Sequence, residues 1–211
     1  MKRIIAYIDG FNLYYGLRAK GWKRFYWLNL RQVALRLLKP DQTLAATKYF
    51  TTIVTSPEDQ NRRQAAYLEA LATLPDFHIY YGHYLADTIT CRSCGHAYTT
   101  HHEKMTDVNI AIELLSDAFE DRFDVALLIS ADSDLVGPVE RVRRLFPQKQ
   151  VVVVFPPARY SNALKAVAAT PLHLGRVILA KSMFPDEIAK PDGFVLRRPA
   201  EWRRHQRLKT A

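Results

Sequence analysis

Residues 124–144 read DVALLISADSDLVGPVERVRR, and this stretch decides the fold. It opens with an apolar run, Val125 to Ile129, which is too short to cross a membrane and suits a strand buried on both faces. Polar residues follow at 130–134, and a helical pattern begins directly after them. Asp132 and Asp134 are therefore expected at the carboxyl end of a parallel strand, where open α/β sheets bind their ligands.

Two carboxylates this close in sequence favour a metal site. Neighbouring carboxylates repel each other unless a cation lies between them, and Mg²⁺ takes oxygen ligands. The alternative is that Asp134 caps the following helix, because aspartate is a favoured N-cap residue. That alternative leaves Asp132 unexplained, so we interpret the pair as metal ligands.

Length and composition predict one folded domain. The chain has 211 residues, of which 48% are hydrophobic, and this content is typical of a globular protein. No apolar run approaches the roughly 20 residues that span a bilayer, and the N-terminus MKRIIAYIDG lacks the features of a secretory signal. We expect a cytoplasmic protein without a membrane partner. The predicted boundaries are a domain at residues 1–183, with a hairpin insertion at about 86–103, and a basic Pro/Arg-rich tail at 184–211.

The positive charge is concentrated at the two ends of the sequence. The net charge is +9; residues 1–40 carry nine lysines and arginines against one acid, and residues 197–211 carry six against one. Such blocks suit a protein that binds phosphates, although a solvated basic surface would look the same. Aromatic residues are interleaved with the first block, as in surfaces that bind single-stranded nucleic acid. The candidate nucleic-acid contacts there are Arg18, Lys20, Lys23 and Arg24.

Strand and helix patterns alternate along the chain, which predicts a parallel α/β sheet with helices on both faces. Strands are expected at 3–8, 48–54, 77–85, 125–129 and 151–155, with a short one near 176–179. Helices are expected at 12–17, 30–38, after Pro57, from Thr106, at 134–145 and at 161–169.

Two further acids are expected to lie near the Asp132 pair. Asp9 ends the first strand, and Asp107 lies in the first turn of the helix that begins near Thr106. Loops at one edge of a parallel sheet can converge on one point, because neighbouring strands are only about 4.8 Å apart. Taken singly, each acid has a structural explanation, Asp9 as a turn residue and Asp107 as a cap partner of Thr106. Together they can bind one or two divalent ions that activate a water molecule against a phosphodiester.

Three ordered motifs carry a resemblance to a known family. The segments IDGFNLYYGLR, EKMTDVNIAIELLSDA and DVALLISADSDLVGPVERVR resemble the NYN domain family of the PIN-like nuclease superfamily, in its LabA-like bacterial branch, over about residues 3–180. The resemblance implies a three-layer α/β/α, Rossmann-like fold and a metal-dependent ribonuclease site. Asp9, Asp107, Asp132 and Asp134 match its acidic positions, Asn12 its asparagine, and Ser130 its hydroxyl residue before the acidic pair. Ala131 stands where the family pattern has glycine.

The resemblance and the chemistry together predict a metal-dependent endoribonuclease. The four aspartates would bind Mg²⁺ or Mn²⁺, Asn12 would orient a phosphate or water, and Ser130 and Ser133 would donate to the carboxylates. Lys104 is a candidate contact for the scissile phosphate of RNA. One alternative is a non-catalytic RNA-binding or regulatory module with the same fold. A glycosyltransferase DxD site would leave Asp9 and Asp107 unexplained, and a haloacid-dehalogenase-type phosphatase would need aspartate at the position of Phe11.

The two cysteines form a CxxC motif in the predicted hairpin. Cys91 and Cys94, with His96 and His101 or His102, have the residue types and spacing of a tetrahedral zinc site. A complete zinc ribbon carries a second CxxC, which this sequence lacks. The alternatives are therefore structural Zn²⁺, unliganded thiols and zinc shared across a homodimer. A thioredoxin-like redox role is disfavoured because the motif does not open a helix.

Overall fold

A computed structural model describes residues 1–90, 93–190 and 192–203 of the chain, with the backbone alone described at 83–90 and 98–104. The strands, in chain order, are β1 (Lys2–Asp9), β2 (Gln42–Thr51), β3 (Phe77–Tyr81), β4 (His83–Thr90), β5 (Ala97–Lys104), β6 (Val125–Ile129), β7 (Gln150–Phe155), β8 (Thr170–His173), β9 (Glu187–Ala189) and β10 (Val195–Arg197). The helices are α1 (Gly10–Ala19), α2 (Leu30–Leu35), α3 (Glu58–Ala72), α4 (Thr106–Phe119), α5 (Val136–Leu145), α6 (Asn162–Val167) and α7 (Arg176–Ala180). Short 3-10 helices lie at Lys23–Tyr26, Ser133–Leu135 and Ala200–Trp202.

Six parallel strands form the central sheet, in the order β3-β2-β1-β6-β7-β8. The chain builds one half outward from β1 to β3, and it then returns to the other side of β1 to add β6, β7 and β8. The direction of winding therefore reverses between β1 and β6. In doubly wound sheets this reversal opens a crevice at the carboxyl ends of the two strands, where ligands bind.

Helices cover both faces of the sheet, because its central strands are apolar on both sides. Every residue of β6 is buried, as expected for a strand covered by two layers. One core lies under α1, α2, α3 and α7 and contains Leu13, Leu71 and Leu179. The opposite core lies under α4, α5 and α6 and contains Ile110 and Val139. The predicted three-layer α/β/α PIN-like sheet is confirmed.

Two local predictions at the end of the sheet are wrong. The run at 176–179 forms helix α7 rather than a strand, because Gly175 ends the preceding extended segment and the helix buries Leu179 in the core. The helix predicted to reach residue 169 ends at Val167. The segment Thr170–His173, where the sequence predicts no strand, forms β8 beside β7. A short apolar run next to the edge of a sheet can form either a helix or a strand, and its tertiary contacts decide which one forms.

An antiparallel hairpin, β4 and β5, lies outside the central sheet in the region where the sequence predicts an insertion. Near the C-terminus, β9 and β10 form a second antiparallel pair. After β10, Trp202 packs with Trp27, Tyr67 and Tyr26 at centroid distances of 6.3, 6.2 and 5.7 Å. The domain boundaries at 183 and 184 stay predictions. Within the described residues, none of the helices has both the length and the apolar character that a membrane crossing requires.

Candidate functional site

The carboxyl ends of β1 and β6 lie side by side at the point where the sheet reverses. Ile8 pairs with Ile129 in the last register position of the two strands, so the residues that follow them, Asp9 and Ser130, are neighbours. Both are almost fully buried, with 2% and 0% of their surface exposed. A carboxylate and a hydroxyl are thereby placed at the bottom of the crevice.

Three hydrogen bonds hold the Asp9 carboxylate in this position. Asn12 donates its backbone N–H to Oδ1 (2.9 Å) and its side-chain Nδ2 to Oδ2 (2.7 Å). The Ser130 hydroxyl donates to Oδ2 (2.8 Å). Asp9 is thus the N-cap of α1, and this helix begins at Gly10, two residues earlier than the sequence predicts. Burial raises the pKa of Asp9, these hydrogen bonds oppose the rise, and the nearby charge of Asp132 adds to it.

Backbone hydrogen bonds link this buried aspartate to the acidic loop after β6. The backbone N–H of Asp132 donates to the Ser130 hydroxyl (3.0 Å), and that of Ala131 donates to Asn12 Oδ1 (3.3 Å). Asp132 also accepts from the backbone N–H of Asp134 (3.0 Å) and caps the 3-10 helix that leads into α5. The alternative of a cap at Asp134 is not what the structure has, because Asp132 forms the cap and Asp134 lies inside the first turn.

Asp107, Asp132 and Asp134 converge above this buried layer. One carboxylate oxygen from each lies within 4.8 Å of the other two; Asp107 and Asp132 are half-buried and Asp134 is exposed. Asp107 reaches the group from the first turn of α4, which starts after Met105 at φ 78° in the left-handed region. Asp9 does not belong to this group of three. The structure therefore brings three of the four predicted acids together, and the fourth, Asp9, is linked to Asp132 through Ser130.

The three carboxylates fit a hard divalent cation. Mg²⁺ prefers oxygen ligands and is bound in proteins by a few carboxylates together with water molecules and substrate phosphates. Partly exposed carboxylates leave room for such additional ligands. Asp107, Asp132 and Asp134 would hold the ion, and Asp9 would support the loop that carries Asp132 through its hydrogen bond with Ser130.

The structure describes less of the other predicted site residues. Ser133 is exposed beside Asp134, and Lys104 ends β5 immediately before the left-handed residue, with no side-chain position described. Cys91 lies outside the described residues, and His101 and His102 are described in their β5 backbone alone. Cys94 is a free, exposed thiol and His96 is exposed. The zinc site and the homodimer stay predictions.

Two adjoining cavities lie on the α1 side of the site. The larger, of about 660 Å³, lies between α1, α3 and the 3-10 helix Ala200–Trp202, and Gly10 and Phe11 line it directly after Asp9. The smaller, of about 520 Å³, shares Lys23, Phe25 and Glu201 with it. We call them the aromatic cavity and the basic cavity, and together the groove.

Three of the four basic residues predicted in the first block line this groove. Arg18 and Lys23 line the aromatic cavity, and Lys23 and Arg24 line the basic cavity. Lys20 caps the C-terminus of α1 and is exposed, but it is not part of either lining. The groove is also lined by Arg63, Arg176 and Arg203, whose place there the sequence does not predict. Their only signal was their charge, because they come from three segments that become neighbours through folding.

Comparisons with known proteins identify the family and agree with the fold. The profile of the NYN domain matches residues 3–175, so the chain belongs to the NYN domain family, which is part of the PIN-like nuclease superfamily. Among solved structures, the chain is similar to a protein of unknown function from Vibrio parahaemolyticus RIMD 2210633, with a TM-score of 0.53 and 20% sequence identity over 83% of this chain and 94% of that one. At this identity the likeness concerns the fold. A search of curated proteins finds no significant match.

Proposed function

We propose that this protein is a divalent-metal-dependent endoribonuclease of the LabA-like branch of the NYN family, which hydrolyses phosphodiester bonds in RNA. The observation that carries the proposal is the convergence of Asp107, Asp132 and Asp134 within 4.8 Å at the point where the sheet reverses. Membership of the NYN domain family supports a nuclease reaction. The free thiol of Cys94 suits the reducing cytoplasm, where we place the enzyme.

The chain's own residues prepare the site for a phosphodiester. Mg²⁺ or Mn²⁺, when bound, supplies a water of lowered pKa and neutralises charge on the phosphate. Asp107, Asp132 and Asp134 would hold the ion. Asn12 and Ser130 fix the Asp9 carboxyl group by hydrogen bonds, and Ser130 also accepts from the backbone of Asp132. These bonds position the loop that carries Asp132 and Asp134.

Replacing Asp132 with asparagine tests the proposal. Asparagine keeps the cap of the 3-10 helix because its side-chain oxygen still accepts a hydrogen bond, but it removes one negative ligand. We expect Asp132→Asn to fold, to bind Mn²⁺ more weakly in calorimetric titration, and to cut labelled RNA no faster than the wild type does in EDTA. Asp41→Asn is the matched control, since Asp41 is exposed and lies immediately before β2. It is therefore at the amino ends of the strands, whereas the site is at their carboxyl ends.

Cleavage by Asp132→Asn at the wild-type rate would contradict the assignment of the site. A wild type that binds RNA but cuts neither single-stranded nor structured RNA with Mg²⁺ or Mn²⁺ would instead identify a non-catalytic RNA-binding module with this fold.

A further inference from the structure

A continuous row of aromatic rings lines the groove from the acidic site outward. Phe11 stacks with Tyr15 at 6.3 Å between centroids, and Tyr15 meets Tyr14 at 5.3 Å. Tyr14 meets Tyr26 at 5.0 Å, and Tyr26 meets Trp202 at 5.7 Å. The row therefore begins two residues after Asp9 and ends at the 3-10 helix near the C-terminus.

The first part of this row is open to solvent. Tyr14 and Tyr15 are 39% and 41% exposed, whereas Phe25 beside them is 1% exposed and belongs to the core. The guanidinium groups of Arg18 and Arg159 lie 6.0 and 5.9 Å from the centre of the Tyr15 ring. Exposed rings flanked by arginine are the surface on which unpaired bases stack, while the arginines meet the phosphates.

Positive charge is concentrated at the far end of the groove. Four basic side chains and one acid line the basic cavity, and they are Lys23, Arg24, Arg176, Arg203 and Glu201. Arg24 lies over the Phe25 ring at 4.5 Å and Arg176 over the Trp22 ring at 5.7 Å, so both cations are held against flat surfaces. This excess of positive charge is complementary to a phosphate backbone.

Two polar side chains of the aromatic cavity, those of Arg63 and Gln64, are already engaged by the protein. Arg63 pairs with Asp59 (2.6 Å) and Glu201 (3.3 Å), which balances its charge. Gln64 accepts from the backbone of Val54 (2.7 Å) and donates to the carbonyl of Thr52 (2.8 Å). These groups are used to fix the wall, so the cavity offers ring faces to a ligand more than it offers hydrogen bonds that read a base edge.

We propose that the groove binds a single RNA strand next to the cleaved phosphate, with unpaired bases stacked on the Phe11–Tyr15–Tyr14 rings and the backbone held in the basic cavity. This inference rests on the proposed function for the identity of the polymer. It adds that the substrate is single-stranded at this position, since bases inside a duplex cannot reach the rings. Recognition by stacking tolerates any sequence, because every base has a flat face.

Binding measurements with and without bases test the proposal. The probe is a fluorescein-labelled single-stranded RNA of about ten nucleotides, followed by anisotropy in EDTA so that no cleavage occurs. We expect it to bind more tightly than a duplex of the same length and than a matched strand of abasic residues. Tyr14→Ala/Tyr15→Ala should weaken binding of the base-bearing strand by about tenfold or more, and it should leave binding of the abasic strand unchanged.

Phe119→Ala is the control, because Phe119 is an exposed ring (68%) at the far end of α4 from Asp107. Thermal unfolding of each variant checks that it is folded. Equal binding of the base-bearing strand by the double variant and the wild type, or equal binding of base-bearing and abasic strands by the wild type, would overturn the inference. Metal-dependent cutting is measured separately. If the wild type cuts RNA and the double variant binds RNA as tightly as the wild type does, the groove is refuted and the nuclease proposal stands. If the wild type never cuts RNA but binds the base-bearing strand more tightly than the double variant does, the nuclease proposal is refuted and the groove is supported.

Discussion

At the carboxyl end of β1, a buried carboxylate depends on a few neighbouring groups. Asp9 accepts two hydrogen bonds from Asn12 and one from Ser130, and the same Ser130 hydroxyl accepts from Asp132. Ser130 therefore connects the buried acid to the three-carboxylate group above it. A buried charge is tolerated only where such bonds replace its lost hydration.

Ser130→Ala is expected to lower the free energy of unfolding by about 1–3 kcal/mol, the usual cost of leaving a buried polar partner unsatisfied. The change removes one bond to Asp9 and strands the backbone N–H of Asp132. Urea denaturation at neutral pH measures the loss. Ser133→Ala, in the same loop but exposed, should change stability by no more than about 0.5 kcal/mol. Equal effects of the two substitutions would show that the Ser130 contacts contribute little.

The sequence predicts which acids form this site better than it predicts the role of each acid. Asp132 and Asp134 follow an unmistakable buried strand, and Asp107 opens a helix with clear apolar periodicity, so their positions can be predicted locally. That Asp9 lies outside the group of three, and that Asp132 rather than Asp134 is the cap, depends on which strand ends become neighbours. Those facts belong to the tertiary structure.

On the scale of helices and strands, close approach of the backbone positions α1. A Cβ atom added at Gly16 would overlap the carbonyl oxygen of Pro157 and lie 3.3 Å from Arg159 Cγ. The helix therefore packs directly against the loop that follows β7. A similar contact occurs at Gly10, where a Cβ would lie 2.7 Å from the carbonyl oxygen of Phe50. Both contacts fix the helix that presents Asn12 to Asp9.

Gly16→Ala should destabilise the protein by about 1–3 kcal/mol through overpacking, although alanine favours a helix over glycine by up to about 1 kcal/mol. Gly137→Ala provides the comparison, because Gly137 lies in α5 and a Cβ added there would meet no atom of another segment within 4 Å. The helix propensity of alanine is opposed there by Pro138, which disfavours helical backbone at a preceding residue that carries a Cβ, so the stability should change by no more than about 1 kcal/mol. Thermal and urea unfolding should therefore show a larger loss for Gly16→Ala than for Gly137→Ala. A stabilising Gly16→Ala would mean that α1 does not approach the loop this closely.

A buried ion pair joins β2 to α4. Lys48, 3% exposed, donates to Asp117 (2.5 Å) and Glu113 (2.6 Å), and Asp117 also accepts from the Tyr7 hydroxyl (2.6 Å). Burial by itself lowers the pKa of Lys48, but the bonds to Asp117 and Glu113 outweigh it and the pKa is raised. This network anchors the middle of the helix whose first turn carries Asp107.

Lys48→Met should cost about 3–5 kcal/mol, because it removes the closest cation from the buried Asp117 carboxylate and leaves only Arg122, at 3.4 Å, to balance its charge. Adding Asp117→Asn should recover part of the loss, since the stranded charge is then gone. Lys190→Met, which breaks the partly exposed pair with Glu69 (2.7 Å), should cost no more than about 1 kcal/mol. Urea unfolding of the four proteins, including the wild type, gives the comparison. Similar losses for Lys48→Met and Lys190→Met would show that burial does not make Asp117 depend on its lysine partner.

At the scale of the whole molecule, folding brings the two basic ends of the sequence together. Lys23 and Arg24 come from the first block, and Arg203 comes from the last; all three line the basic cavity with Arg176. The contact of Tyr26 with Trp202 closes this arrangement. The sequence shows that both ends are basic, but it cannot show that they meet, because that depends on long-range contacts such as that of Trp202 with Tyr26 and that of Arg198 with the carbonyl of Arg24.

This convergence predicts how RNA binding responds to salt. Each phosphate contact on a single strand steepens the fall of log K with log salt by roughly 0.7. Lys23→Gln/Arg24→Gln should therefore reduce the magnitude of the slope by roughly 0.7 for each phosphate that the protein no longer neutralises. Arg143→Gln/Arg144→Gln removes the same net charge from exposed positions in the last turn of α5, at the opposite end of that helix from the acidic loop, and should leave the slope unchanged. Anisotropy titrations over a range of salt concentrations measure all three slopes. Equal reductions in both variants would mean that RNA responds to the overall charge of the protein, and the groove would then have no special part in holding the strand.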